Sequence, residues 1–187
     1  MSDELLDIVD EEDRVTGQEM RSIMHRSGLQ HRGIHIFLVT AEGKLLVQQR
    51  GSQRGTAPLA LDCSVSEHVK AGEGYREAAR RGLAEELGLP EIRLQALVKF
   101  RMDYGPHDRE ICTLYEGSVN PALVHFDPLE VEGVACYSLD ELEMLIQAAK
   151  VVFSGWFIQL IRWYAGKPSE VQAIKVYTGK RRLLASE

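Results

Sequence analysis

Between Gly72 and Pro90 the chain spells out both ends and the buried face of a single helix, set among acids. Gly72-Glu73-Gly74 is a turn able to bring backbone N–H groups close to an anion. Tyr75 to Leu87 reads as the helix, because Ala79, Leu83 and Leu87 recur every four residues and share one stripe. Gly88 and Pro90 stop it. Glu85 and Glu86 stand near its C-terminus, where the macrodipole disfavours negative charge by roughly 0.3–1 kcal/mol each. Carboxylates held against that field suit a bound cation. A simpler reading stays open for Glu85, which lies four residues after Arg81 and can form a solvated ion pair.

With its flank from Glu67, the segment EHVKAGEGYREAARRGLAEELGL resembles the Nudix box. Glu73, Arg81, Leu83, Glu85, Glu86, Gly88 and Leu89 fall on the pattern at its fixed spacing. The resemblance implies a Nudix-type α/β/α sandwich with a central mixed sheet, and chemistry on diphosphates assisted by Mg²⁺ or Mn²⁺ held by Glu85 and Glu86. Two positions depart: Glu67 stands where the box opens on glycine, and Gly82 replaces the glutamate that follows the box arginine. In the family that glutamate is usually a metal ligand and sometimes the general base. Glycine there also costs about 1 kcal/mol of helix propensity. Glu67 is a candidate substitute for the lost carboxylate; the alternative is a solvated loop acid.

Within the superfamily the flanks are most similar to the isopentenyl-diphosphate isomerase branch, over roughly residues 5 to 165. Asp7 to Asp13 with Arg14-Val15-Thr16-Gly17 resembles that branch's first hairpin. His25 and His31-Arg32 match its two early histidines, with a gap one residue shorter, and His68 matches a third. The strand Leu45 to Arg50 ends on a basic residue, Arg54 matches a basic position that contacts diphosphate, and Asp108-Arg109-Glu110 matches a paired-carboxylate strand. Phe153-Ser154-Gly155-Trp156 matches a C-terminal segment of that branch whose tryptophan faces substrate. The resemblance implies a metal nest of His25, His31, His68, Asp108 and Glu110, a ligand set suited to Mn²⁺, Zn²⁺ or Fe²⁺. Asp108 and Glu110, two apart, share a face of any strand they occupy.

The branch's catalytic thiol is replaced by Ser66, a far poorer acid or base than a cysteine of pKa about 8.5. Cys63 is three residues earlier, and along an unbroken strand that odd separation puts it on the opposite face. Cys63, Cys112 and Cys136 read as small buried residues.

A chain of 187 residues with 44% hydrophobic content fits one domain, over residues 1–170, with 171–187 as a tail or extension. Three cysteines without pattern fit a reducing, cytoplasmic setting. No signal peptide or 18-residue apolar run appears, so no membrane partner is expected. A net charge of −6 argues against binding a nucleic-acid polymer. The acidic run to Asp13 reads as solvated surface. Lys180-Arg181-Arg182 reads as an anion contact or a loose end. Strands are expected at residues 34–39, 45–49, 94–101, 111–119 and 131–137, with residues 51–57 a polar loop. Ser138 with Glu141 makes a capping box for a helix to about Lys150. The helix from Gly155 to Ala165 is apolar on most sides, as core, substrate lid or homodimer face.

The first functional expectation is a metal-dependent hydrolase cleaving a phosphoanhydride bond in a small diphosphate. Glu85, Glu86 and Glu67 would hold the metal, and Arg50, Arg54 and Arg81 would position substrate. Arg81 has the alternative of pairing with a box glutamate. The general base is open among Glu67, Asp108 and Glu110. The second is an isoprenoid-diphosphate isomerase, with Glu110 shuttling protons and the π face of Trp156 stabilising a carbocation. The third is a non-catalytic domain that binds a phosphorylated ligand.

Overall fold

A computed structural model describes residues 3–89, 91–105 and 107–177. The basic run 180–182 and Pro90 lie outside them. A two-stranded hairpin, β1 (Leu5–Val9) and β2 (Val15–Met20), leads through α1 (Arg21–Ser27) into β3 (His31–Val39) and β4 (Leu45–Arg50). Short β5 (Leu61–Asp62) and β6 (Val65–His68) precede α2 (Tyr75–Leu87). β7 (Gln95–Gly105), β8 (Asp108–Ser118) and β9 (Val131–Tyr137) follow, then α3 (Leu139–Ala148), α4 (Gly155–Tyr164) and β10 (Gln172–Val176).

The large sheet runs β10-β7-β8-β3-β4-β5, with β6 paired to β3 and β9 to β4. It is mixed: β3 and β8 run parallel and its other pairs antiparallel. Strand alternation sorts the core into two layers. Ile34, Ile36 and Leu38 of β3 pack with Ala78, Ala79, Leu83 and Leu87 of α2. Phe37 and Val39 face the other way, onto Phe157, Leu160, Ile161 and Tyr164 of α4 and Leu142 of α3. The apolar face of α4 formed by Phe157, Leu160, Ile161 and Tyr164 is therefore core. Among the described residues no helix is long and apolar enough to cross a membrane.

β3 touches β4 only at Leu38 and Val39, where they meet Leu46 and Leu45. Below that point the strands part, and β6 takes the vacated edge, pairing Gly33 to Ile36 with His68 to Val65. Among the described residues β6 has a strand partner on one edge only, so side chains of both parities can reach the gap beside it.

The acidic N-terminal run is not simply solvated. Leu6 and Asp7 are buried, and Asp7 Oδ2 accepts from Gly72 N while Oδ1 accepts from Gln18. Asp13, at φ 64°, binds Arg32, Tyr75 and Lys99. These contacts tie the hairpin to the turn that opens α2. Residues 172–176, within the stretch expected to be a tail or extension, form an edge strand on β7 instead.

Candidate metal and diphosphate site

The gap beside β6 opens into a cavity of about 290 Å³. Acids approach it from one side and imidazoles from the other.

At the acidic end, α2 delivers two glutamates of opposite character. Glu85 is half exposed and pairs with Arg81 at 3.0 Å, as the ion-pair reading expects. Glu86 is completely buried, accepting from Gln48 Nε2 at 2.8 Å and facing Arg54 at 3.2 Å. Its carboxyl is pushed well above the usual range, first by burial and then by the charge of Glu67, with Arg54 opposing. Glu67 therefore stands against Glu86 and is not a solvated loop acid. Glu130 completes a cluster in which one oxygen of each of Glu67, Glu86 and Glu130 lies within 4.8 Å of the others. Burial also raises the Glu130 carboxyl. Sequence reasoning missed Glu130 because no local spacing links it to α2; the β4–β9 pairing, with Arg50 opposite Val131, brings it in.

All three arginines expected to position substrate are engaged by the protein's own groups. Arg81 does not line the cavity: it clasps Glu73, Glu67, Glu85 and the His68 carbonyl, which is the structural reading of the box arginine. Arg50 lines the cavity but spends its guanidinium on Asp62 Oδ2 at 2.7 Å and the Thr56 carbonyl at 3.1 Å. Arg54 stands among the three acids, 3.2 to 3.9 Å from each. Arg21 of α1, which has no motif to mark it, also lines the cavity and donates to His68 Nδ1.

At the other end His25, His31 and His68 bring their rings within 4.9–5.2 Å of one another, although they come from α1, β3 and β6. Asp108 and Glu110 lie on one face of β8 as expected; His25 is 3.2 Å from Asp108, and His31 and His68 are 3.3 and 3.6 Å from Glu110. Gly33 makes this approach possible, since a Cβ there would lie 2.8 Å from Cys112 Sγ and overlap the Glu110 carboxylate. His31 Nδ1 donates to the Leu29 carbonyl, which aims Nε2 into the nest. His31 Nε2, His25 Nε2 and Asp108 Oδ1 are buried without a hydrogen-bond partner. Unpartnered nitrogen and oxygen atoms of this kind around three imidazoles and two carboxylates fit a divalent transition metal. For His31, burial lowers the pKa but the Glu110 carboxylate, 3.3 Å from Nε2, overcomes it and raises it. Glu110 resists burial in turn through His31 and is held far below the usual carboxylate range.

Between the two ends sit Ser66, His35, Tyr104 and Trp156. Ser66 Oγ lies 3.0 Å from His35 Nδ1, and His35 Nε2 lies 3.0 Å from the Tyr104 hydroxyl. His35 is visible in the sequence only as the polar break in an apolar strand. Its pKa is lowered by burial. Cys63 was expected on the opposite face from Ser66, yet its Sγ is 3.9 Å from the same His35 nitrogen. The strand is broken at Cys63-Ser64, where Ser64 Oγ bonds Leu46 O and Leu38 N, and the break resets the alternation. Burial pushes the Cys63 thiol well up, so it remains a buried packing residue. Trp156 does face the cavity, in edge contact with Tyr104 at 5.6 Å.

A NUDIX domain model matches residues 29–156. The chain belongs to the Nudix family. An uncharacterized Nudix hydrolase of Clostridium acetobutylicum is 36% identical over 76% of this chain and 73% of its own length. An isopentenyl-diphosphate Delta-isomerase of Pectobacterium atrosepticum is 30% identical over 90% of this chain and 93% of its own. The crystal structure of DR0079 from Deinococcus radiodurans superposes with a TM-score of 0.75 at 30% identity, covering 86% of this chain and 98% of that one. The mixed sheet between helices is thus the Nudix fold, with hydrolases and isomerases among the relatives of this Nudix protein.

Proposed function

We propose that this Nudix protein is a divalent-metal-dependent hydrolase that cleaves a phosphoanhydride bond in a small diphosphate-containing substrate. The observation that carries the reading is that the Glu67–Glu86–Glu130 cluster, through Glu67 and Glu130, and the His25–His31–His68–Asp108–Glu110 nest, through His25, His68, Asp108 and Glu110, reach one cavity. Mg²⁺ or Mn²⁺ suits the all-oxygen cluster and Mn²⁺ or Zn²⁺ the imidazole nest; a bound ion offsets phosphate charge and makes an attacking water more acidic. Glu86 and Glu67 hold the ion at the helix end, with Glu85 at the mouth. Arg54 and Arg21 orient the phosphates, and Glu110 or Glu67 receives the proton from water. Arg50 and Arg81 hold the walls in place. The substrate is a soluble small molecule, and three free thiols, of which Cys63 and Cys112 are buried and Cys136 partly so, suit a reducing cytoplasm.

A second reading, isomerisation of an isoprenoid diphosphate, is favoured by the imidazole nest and by the Trp156 face in the cavity. Ser66 weighs against it, because no pocket-facing thiol replaces the hydroxyl. Incubation with Mg²⁺ or Mn²⁺ and a panel of nucleoside diphosphate derivatives and isopentenyl diphosphate separates the readings. Release of phosphate or a monophosphate supports hydrolysis and an isomerised alkene supports the second reading. A thermal shift without turnover would instead indicate a ligand-binding domain.

A further inference from the structure

We infer that this chain has moved one metal-binding carboxylate from helix to strand: Glu67 of β6 supplies the ligand that α2 lacks at position 82, and residue 82 is glycine because the strand now fills its side-chain space. The inference rests on the metal-binding half of the proposed function and is independent of which bond is cleaved.

The steric half is direct. A Cβ built on Gly82 would lie 2.8 Å from Val65 Cγ1 and 3.0 Å from Glu67 Cγ, closer than side chains tolerate. Gly82 is buried inside the helix, with ordinary helical backbone, so no turn geometry calls for glycine there. The space is taken first by Val65 Cγ1 and then by the stem of Glu67 beside it. The chemical half follows from the helix repeat. Residues 82 and 86 are one turn apart on one face, so an acid at 82 would place its carboxylate beside Glu86. Glu67, crossing over residue 82, places its own carboxylate beside Glu86 and Glu130, within 4.8 Å oxygen to oxygen. Both departures from the box pattern then meet at one contact, the acid at 67 lying over the glycine at 82.

The exchange makes a paired prediction read without substrate. Mg²⁺ binding is measured by isothermal titration calorimetry on the full chain, since an all-oxygen site is the one that suits Mg²⁺. Glu67→Gln is expected to weaken Mg²⁺ at least tenfold while leaving the metal-free melting temperature close to that of the parent. Returning the acid to the helix, in Val65→Ala/Glu67→Gly/Gly82→Glu, is expected to restore Mg²⁺ to within about threefold of the parent. Unchanged Mg²⁺ affinity in Glu67→Gln would overturn the exchange. So would a folded triple variant that stays as weak as Glu67→Gln. Should the triple variant not fold, the steric half decides: Gly82→Ala lowers the melting temperature of the parent but not that of Val65→Ala/Glu67→Gly. Equal effects in both backgrounds would overturn the inference. A protein that binds Mg²⁺ through Glu67 yet hydrolyses no diphosphate would uphold the exchange while removing the hydrolase reading.

Discussion

Trp156 Nε1 donates a 2.6 Å hydrogen bond to Asp62 Oδ1, and that carboxylate is completely buried. The same group accepts from Ser154 Oγ and the Cys63 amide and pairs with Arg50, whose guanidinium sits 5.3 Å from the Trp156 ring. One buried charge therefore fixes the aromatic wall of the cavity from three directions. Asp62→Ala leaves Arg50 buried and unpaired, a loss expected to cost about 3–5 kcal/mol of stability. Urea unfolding measures it, and the fluorescence of Trp156 in a Trp163→Phe background should shift as the indole loosens.

Glu86 is placed for function against stability. Its carboxyl is raised by burial and by Glu67, so ionised Glu86 costs folding energy at neutral pH, above its unfolded value of 4.5. Glu86→Gln keeps the shape and the Gln48 contact. In the presence of a chelator at pH 7 it should melt higher than the parent, yet lose about 100-fold or more in turnover with Mg²⁺. A variant that is both less stable and fully active would contradict the placement.

The His31–Glu110 pair gives the metal-free protein a pH signature. His31 is raised above its unfolded value of 6.5, so its contribution is full below pH 6.5 and disappears as pH rises through the raised folded value. Glu110 is depressed, so its contribution is full above pH 4.5 and is lost as pH falls toward its low folded value. Subtracting the stability of His31→Gln from that of the parent, both with chelator, isolates the first limb. The difference should be largest between pH 4.5 and 6.5 and should shrink on the alkaline side.

Ser66→Cys tests the chemistry at the centre of the cavity. The hydrolase account expects phosphate release within about threefold of the parent, because Ser66 contacts His35 and neither metal cluster. Assay with isopentenyl diphosphate provides the contrast: appearance of the isomerised alkene would favour the second reading.

Much of this was legible in local pattern. The limits of α2, its apolar stripe and the Ser138–Glu141 capping box are local events, and the structure reproduces them. Asp108 and Glu110 needed only the two-residue repeat. Where sequence fell short, the missing information was tertiary. β3 begins at His31 rather than Ile34, because His31 faces the imidazole nest, Arg32 pairs with Asp13 and Gly33 has no side chain, so none carries an apolar signal. β8 starts back at Asp108 because Asp108 and Glu110 face the imidazole nest, and β7 runs on to Gly105 to pair with it. Cys63 was placed on the wrong face because the break at Ser64 has no sequence mark. Asp62, Tyr104 and Glu130 are ordinary residues until strand pairing assembles them. Arg50 looked like a free cation because its partner Asp62 lies 12 residues away, whereas the pairing of Arg81 with a box glutamate was already open in the sequence.

Anomalous diffraction from crystals soaked in Mn²⁺ with methylenediphosphonate tests the central claim most directly. The account predicts one manganese peak among Glu67, Glu86 and Glu130, a second among His25, His31 and His68, and the diphosphonate in the cavity between them. Manganese bound elsewhere on the surface, with both clusters empty and the cavity holding solvent, would contradict it.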